Sequence, residues 1–141
     1  MPNEMRVAIS SSTDIVTARQ QGRTLATELG FKGAEVTLIA AAISEVSRNI
    51  VEYAQCGEIV LRPLNNGQRH GLCVVAKDHG PGIADVAQAM QYGYSTRKGL
   101  GVGLPGARLL MDEFDIVSKV GEGTTITMKK WLGKLKGSNS K

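Results

Sequence analysis

The sequence predicts an α+β two-layer sandwich: a mixed, mostly antiparallel sheet covered on one face by helices. Three observations carry that expectation. Two long segments place apolar residues at helical spacing, two pairs of β-branched runs are each joined by a short turn-forming stretch, and one further short run near the start alternates apolar with polar residues. The chain has 141 residues, 42% of them apolar and 21% charged, which suits one compact domain over residues 1–133 with a sizeable core.

Met5 to Ser10 carries Val7 and Ile9 at alternate positions and reads as the first strand. Ser10-Ser11-Ser12-Thr13-Asp14 then offers capping oxygens to a helix from Ile15 to Leu29, where Ile15, Val16, Ala18, Leu25, Ala26 and Leu29 recur at helical spacing and Gly30 closes the pattern. A second helix is expected from about Ala34 to Ala54, with Val36, Ile39, Ala40, Ile43, Val46, Ile50 and Tyr53 in one stripe and Gly57 ending it. Glu58 to Leu64 and Gly71 to Lys77 read as a hairpin around Asn65-Asn66-Gly67-Gln68-Arg69-His70. Ala84 to Gln91 reads as a short helix. Tyr92 to Gly103, with four glycines among polar and basic residues, cannot pack a core and is expected to be a mobile loop. Helical spacing resumes from Leu104 to Met111, with Pro105 tolerated in the first turn. Phe114 to Val120 and Thr124 to Leu132 form a second hairpin about Gly121-Glu122-Gly123.

Composition narrows the function classes. The first ten residues contain Glu4 and Arg6 and no apolar stretch of signal length, and the longest apolar run, Leu38 to Ile43, is far too short to span a membrane. A soluble, cytoplasmic protein is expected, with Cys56 and Cys73 reduced and buried as small hydrophobes. The net charge of +4 does not read as nucleic-acid binding. Much of the excess gathers in Lys129, Lys130, Lys134, Lys136 and Lys141, and residues 134–141 read as a flexible, solvated basic tail. Neither nucleic acid nor membrane is an expected partner.

Three stretches carry chemistry. Asp78-His79-Gly80-Pro81-Gly82-Ile83 follows the buried run Leu72 to Ala76, so a fixed acceptor stands beside backbone that a flat ligand can approach; an ordinary turn after a strand uses the same residue types. Glu45 and Asn49 are four apart and share one face of the second helix, where a carboxylate can serve as a base and a carboxamide as a hard-metal ligand. A solvated helical face would carry the same pair. Gly99-Leu100-Gly101-Val102-Gly103-Leu104 runs into a helix and could cradle phosphates on its backbone amides. Gly101 to Gly106 also matches a dinucleotide fingerprint, but no buried strand precedes it, and no P-loop pattern occurs.

With Gly121-x-Gly123-Thr124 before the last strand as a fourth, these stretches occur in one order: Glu45/Asn49, Asp78-x-Gly80-x-Gly82, Gly99-x-Gly101-x-Gly103 and Gly121-x-Gly123-Thr124. That order resembles the GHKL ATPase/kinase superfamily, whose four boxes follow one another in this way. Asp14-Ile15-Val16, Ala18-Arg19-Gln20, Ile43 to Ile50, Gly93-Tyr94-Ser95-Thr96, Gly103 to Gly106 and Leu110 to Phe114 look, more narrowly, like the serine/threonine switch kinases of the bacterial stressosome, relatives of the anti-sigma-factor kinases. The resemblance covers about Met5 to Leu132.

It implies a Bergerat ATP-binding fold, with ATP and Mg²⁺ as cofactors. Asp78 would accept a hydrogen bond from the adenine amino group, Thr124 would support the same pocket, and Gly80 and Gly82, with Ile83 beside them, would give the ring room. Asn49 would bind the Mg²⁺ that bridges the phosphates, and Glu45 would take the proton from an incoming serine or threonine hydroxyl. Gly99, Gly101 and Gly103 would contact phosphates, with Ser95, Thr96, Leu100, Val102 and Leu104 completing the nucleotide-binding set. Arg97 or Lys98 would offset charge on the transferred γ-phosphoryl group. His79, at the variable position of its motif, would be a loop residue near the adenine; His70 reads as a turn residue and Trp131 as core or edge packing.

The implied function is a protein kinase acting on STAS-domain proteins of the stressosome. Phosphorylation would release it to a downstream output protein such as a PP2C-type phosphatase, and a homodimer is compatible with this. The alternative is a nucleotide-gated protein-binding regulator of the anti-sigma type, with incidental or no catalysis. Glu45 favours the kinase, because binding alone needs no base. A histidine kinase catalytic domain is disfavoured, since no dimerising hairpin with a phosphoacceptor histidine is present.

Overall fold

The computed structural model describes residues 4–90 and 103–132. In chain order it contains β1 (Met5–Ile9), α1 (Ser12–Leu29), α2 (Gly33–Asn49) continued by a π-helical turn (Ile50–Ala54), β2 (Gly57–Asn65), β3 (His70–Asp78), α3 (Val86–Ala89), α4 (Gly103–Leu110), β4 (Glu113–Lys119) and β5 (Gly123–Trp131). The sheet order is β1-β2-β3-β5-β4. All four neighbouring pairs are antiparallel, so the sheet expected to be mixed is purely antiparallel among the described residues.

Directly paired residues of an antiparallel sheet share a face. The register therefore sets Val7, Ile59, Ala76, Ile126 and Ile116 in one cross-strand row, and Met5, Leu61, Val74, Met128 and Phe114 in the next. The buried stripe of α2, Val36, Ile39, Ile43 and Val46, joins both rows in one core, and α1 and α4 pack on α2 from either side. α2 is thereby the central helix of its layer.

The N-cap residue of α1, Ser11, makes no side-chain capping bond. Asp14, in the first turn, reaches back to accept from the Ser10 N–H at 2.8 Å and from the Ser10 and Ser11 hydroxyls at 3.1 and 3.4 Å. These bonds, the Ser10 backbone N–H foremost, hold its carboxyl below the ordinary range. Gly30 ends the helix at φ 104°, where a side chain would be strained.

Among the described residues, no helix covers the opposite face of the sheet. Arg6, Arg62 and Lys129 lie there in ion pairs with Glu4, Glu58 and Glu113. Cys73 pairs in register with both Arg62 and Lys129 and is buried on this face. Burial pushes its thiol pKa up.

Several expectations are corrected. The second helix stops being α-helical at Asn49, and Gln55 at φ 73° ends the π turn. Gly57 instead opens β2, where a Cβ would collide with the Lys77 carbonyl of β3. Tyr53, expected in the buried stripe, is exposed because the wider turn carries it off the helical register. Cys56 is exposed, since it precedes the strand that would have covered it. The short third helix spans only Val86–Ala89. Lys129 and Lys130 belong to β5 and not to a solvated end. Residues 134–141 lie outside the described residues, and no helix among those described is long and apolar enough to cross a membrane.

Lys130 is buried because the end of α4 needs a donor. Its Nζ donates to the Leu110 carbonyl at 2.9 Å and sits 3.7 Å from the Asp112 carboxylate. Replacing Lys130 by Met is expected to lower stability by about 2 kcal/mol in urea unfolding, because a charge-assisted bond to a helix end is lost.

Candidate functional site

One row beyond the apolar core, towards the C-terminal end of β3, the register aligns Ile9, Gly57, Asp78, Thr124 and Ser118. Asp78 is 6% exposed. Its Oδ1 accepts from the Gly80 N–H at 2.9 Å and from the Thr124 N–H at 3.3 Å, which ties the following loop and β5 to the end of the central strand. The Thr124 hydroxyl lies 2.7 Å from that of Ser118, and Ser118 Oγ accepts the Ile83 N–H at 2.7 Å. The Gly121 N–H donates to the Pro81 carbonyl at 2.8 Å, so the turn between β4 and β5 holds the loop from a second side.

Glycine is required here by the fold. A Cβ on Gly80 would meet Ala54 of the π turn, and one on Gly123, at φ 120°, would collide with the Asp78 carbonyl. Gly82, at φ 78°, would collide with the Lys119 carbonyl.

The loop forms one side of a cavity of about 270 Å³, lined by Asn49, Tyr53, Pro81, Gly82, Ile83, Ala84, Asp85, Gln88, Ala89 and Leu104. Asn49 comes from the last turn of α2 and Tyr53 from the π turn, while Asp85 caps α3 by accepting the Gln88 N–H at 3.0 Å. The Asn49 carboxamide has no hydrogen-bond partner among the described residues, which leaves its oxygen available to a ligand. Glu45 lies one turn earlier, its side chain 14% exposed, with Oε1 3.1 Å from Arg48 Nη1. This ion pair within one helix face orients the carboxylate.

Of the residues singled out in the sequence, Asn49, Gly82, Ile83 and Leu104 share the cavity wall. Asp78, Gly80 and Thr124 form the hydrogen-bonded cluster behind it, linked to the wall through Ser118 and Ile83. Glu45 is on the helix of Asn49 but does not line the cavity, and Gly103 opens α4 at φ 66°. Ser95, Thr96, Arg97, Lys98, Gly99, Leu100, Gly101 and Val102 lie outside the described residues. His79 is an exposed loop residue, His70 is the first residue of β3, and Trp131 packs at the sheet margin, donating from Nε1 to Glu113 at 2.7 Å.

Sequence reasoning missed Ser118, Arg48 as the partner of Glu45, and the cavity residues Tyr53, Pro81 and Gln88. Ser118 had a readable signal. Counting outward from Gly121 as the centre of the turn sets it opposite Thr124.

A family described as "Histidine kinase-like ATPase domain" matches residues 10–130. The chain is 47% identical over 132 residues to the serine/threonine-protein kinase RsbT of Bacillus subtilis, covering 94% of this chain and 99% of that protein. It is 32% identical over 144 residues to the anti-sigma F factor of Anoxybacillus flavithermus, covering 96% and 97% of the two chains. Among solved structures it is similar to the RsbU and RsbW domains of Rv1364c from Mycobacterium tuberculosis, with TM-score 0.62 and 22% identity, over 92% of this chain and 32% of that longer one. The order of motifs in the sequence had pointed to the same superfamily.

The geometry at Gly82 is testable without any ligand. Gly82→Ala forces a side chain into positive φ against a carbonyl and is expected to cost about 1–3 kcal/mol, read as a lowered thermal midpoint.

Proposed function

The chain belongs to the histidine kinase-like ATPase domain family and is a protein serine/threonine kinase; from that premise we propose that it acts in the cytoplasm, moving the γ-phosphoryl group of Mg-ATP to a serine or threonine of a STAS-domain stressosome protein. The observation that carries the reading is the last turn of α2, where Asn49 stands on the cavity wall with Glu45 one turn before it. A nucleotide in this cavity would have its base towards Asp78 and Thr124 and its phosphates towards Asn49 and the start of α4.

In this reading Asp78 accepts from the adenine amino group, with Thr124 beside it and Gly80, Gly82 and Ile83 forming the loop against the ring. Asn49 holds Mg²⁺. A magnesium ion held by one side chain together with substrate phosphates needs no protein cage, and the described residues contain no cluster of His, Cys, Asp and Glu that could form one. When bound, the ion supplies positive charge to the phosphate oxygens. Glu45 accepts the proton of the attacking hydroxyl as its oxygen bonds to the γ-phosphorus and ADP departs. Arg48, paired with Glu45 at 3.1 Å, aims the carboxylate and yields part of that contact to the substrate hydroxyl. Arg97 or Lys98 would offset charge on the phosphoryl group, Gly99, Gly101 and Gly103 would contact the phosphates, and Ser95, Thr96, Leu100, Val102 and Leu104 would complete the nucleotide-binding set.

Phosphorylation would release the kinase to a downstream output protein such as a PP2C-type phosphatase. The likeness to an anti-sigma F factor favours a second reading of the same site, a nucleotide-gated binding regulator in which turnover is incidental.

Incubating the full chain with radiolabelled Mg-ATP and a STAS-domain protein, then mapping the label, separates the two. Label on a partner serine or threonine supports the kinase reading, and ATP binding with no transfer supports the regulator. Glu45→Ala is expected to keep ATP affinity while kcat falls by roughly 10²–10⁴-fold; transfer at the wild-type rate would remove Glu45 as the base. Asp78→Asn is expected to weaken ATP binding at least about tenfold by calorimetry with the fold retained, and an unchanged affinity would rule out this placement of the adenine.

A further inference from the structure

Ser118 stands outside every motif, yet the cavity loop, β4 and β5 meet at its hydroxyl. Its Oγ accepts the Ile83 N–H at 2.7 Å, lies 2.7 Å from Thr124 Oγ1 and is 3.2 Å from the Gly123 carbonyl oxygen. A serine hydroxyl has one proton and two lone pairs. With the Ile83 N–H on one lone pair, the proton has two destinations. If it goes to the Gly123 carbonyl, Thr124 donates to Ser118 and keeps only lone pairs for a ligand. If it goes to Thr124, the Thr124 proton is free to be donated. The direction of one hydroxyl therefore sets whether Thr124 meets a ligand as donor or acceptor, in the same cross-strand row as Asp78.

A ligand edge that pairs a donor with an acceptor, as the amino group and ring nitrogen of adenine do, is complemented by a carboxylate beside a hydroxyl that donates. Resting on the nucleotide reading above, we propose that Ser118 is a positioning residue for the purine. Its hydroxyl gives its proton to Thr124 when the base is bound, and its bond to the Ile83 N–H holds the cavity wall in place. Substrate transfer takes place at the other end of the cavity, near Asn49. Ser118 thus acts on nucleotide affinity through Thr124, not on the chemical step.

The test uses the full chain with ATP. Ser118→Ala is expected to raise the Kd and KM for ATP about tenfold, while kcat at saturating ATP stays within about twofold. Ser118→Thr, which keeps a hydroxyl, is expected to restore affinity. In a Thr124→Val background the same Ser118→Ala change is expected to cost less than about threefold, because the hydroxyl it acts through is gone. Wild-type ATP affinity in Ser118→Ala overturns the proposal, as does a tenfold loss undiminished in the Thr124→Val background. If Ser118→Ala does not fold, Ser118→Cys, similar in size but a weak donor and acceptor, is expected to show the same loss, and wild-type affinity there overturns the proposal equally. Asp78→Asn measured in parallel separates two failures. If it weakens ATP binding and Ser118→Ala does not, the proposal for Ser118 falls alone; if neither variant matters, the placement of the nucleotide falls with it.

Discussion

The buried carboxylate of Asp78 is the constraint from which the cavity end of this molecule follows. A carboxylate at the end of a central strand, 6% exposed, is tolerable only with hydrogen-bond donors brought to it. Two backbone N–H groups meet that need, one from the loop at Gly80 and one from β5 at Thr124. Glycine stands at 123 because a Cβ there would collide with the Asp78 carbonyl, and at 80 because one there would meet Ala54. The loop after β3, the pairing of β3 with β5 and the turn between β4 and β5 thus form one hydrogen-bonded unit.

On the other side of the cavity, α2 combines two roles. Along most of its length it is the central helix of the core, with Ile39, Ile43 and Val46 fully buried. A helix locked in this way makes a rigid mount for Glu45 and Asn49. Its last turn is widened: the Gln55 N–H donates to the Ile50 carbonyl at 2.8 Å, an i to i+5 bond. Such turns recur at functional sites because they redirect the side chains that follow, and here the redirected residue, Tyr53, lines the cavity. Arg48 in the last α-helical turn sits well with the helix dipole and also faces Glu45.

The two faces of the sheet divide the labour. The helix-covered face holds the apolar core and, at one end, the polar row from Gly57 to Ser118. The face without a described helix carries ion pairs, and the buried Cys73 sits there in register between Arg62 and Lys129. That division explains why Lys129 and Lys130, adjacent in sequence, have opposite fates. Alternate residues of a strand point to opposite faces, so Lys129 joins the surface ladder while Lys130 turns inward to the end of α4.

Local pattern determined most of the fold by itself. Apolar period, capping residues and turn chemistry are short-range properties, so the two long helices, the first strand and both hairpins were legible to within a few residues, as was the superfamily from the order of its motifs. The glycines at 80, 82 and 123 were legible as special, but not the reason: what each one faces, Ala54, Lys119 or Asp78, is distant along the chain. The same holds for the burial of Lys130 and the partnership of Ser118 with Ile83. The tertiary structure alone decided these, because a close approach or a hydrogen bond between residues tens of positions apart exists only once the strands have taken their register.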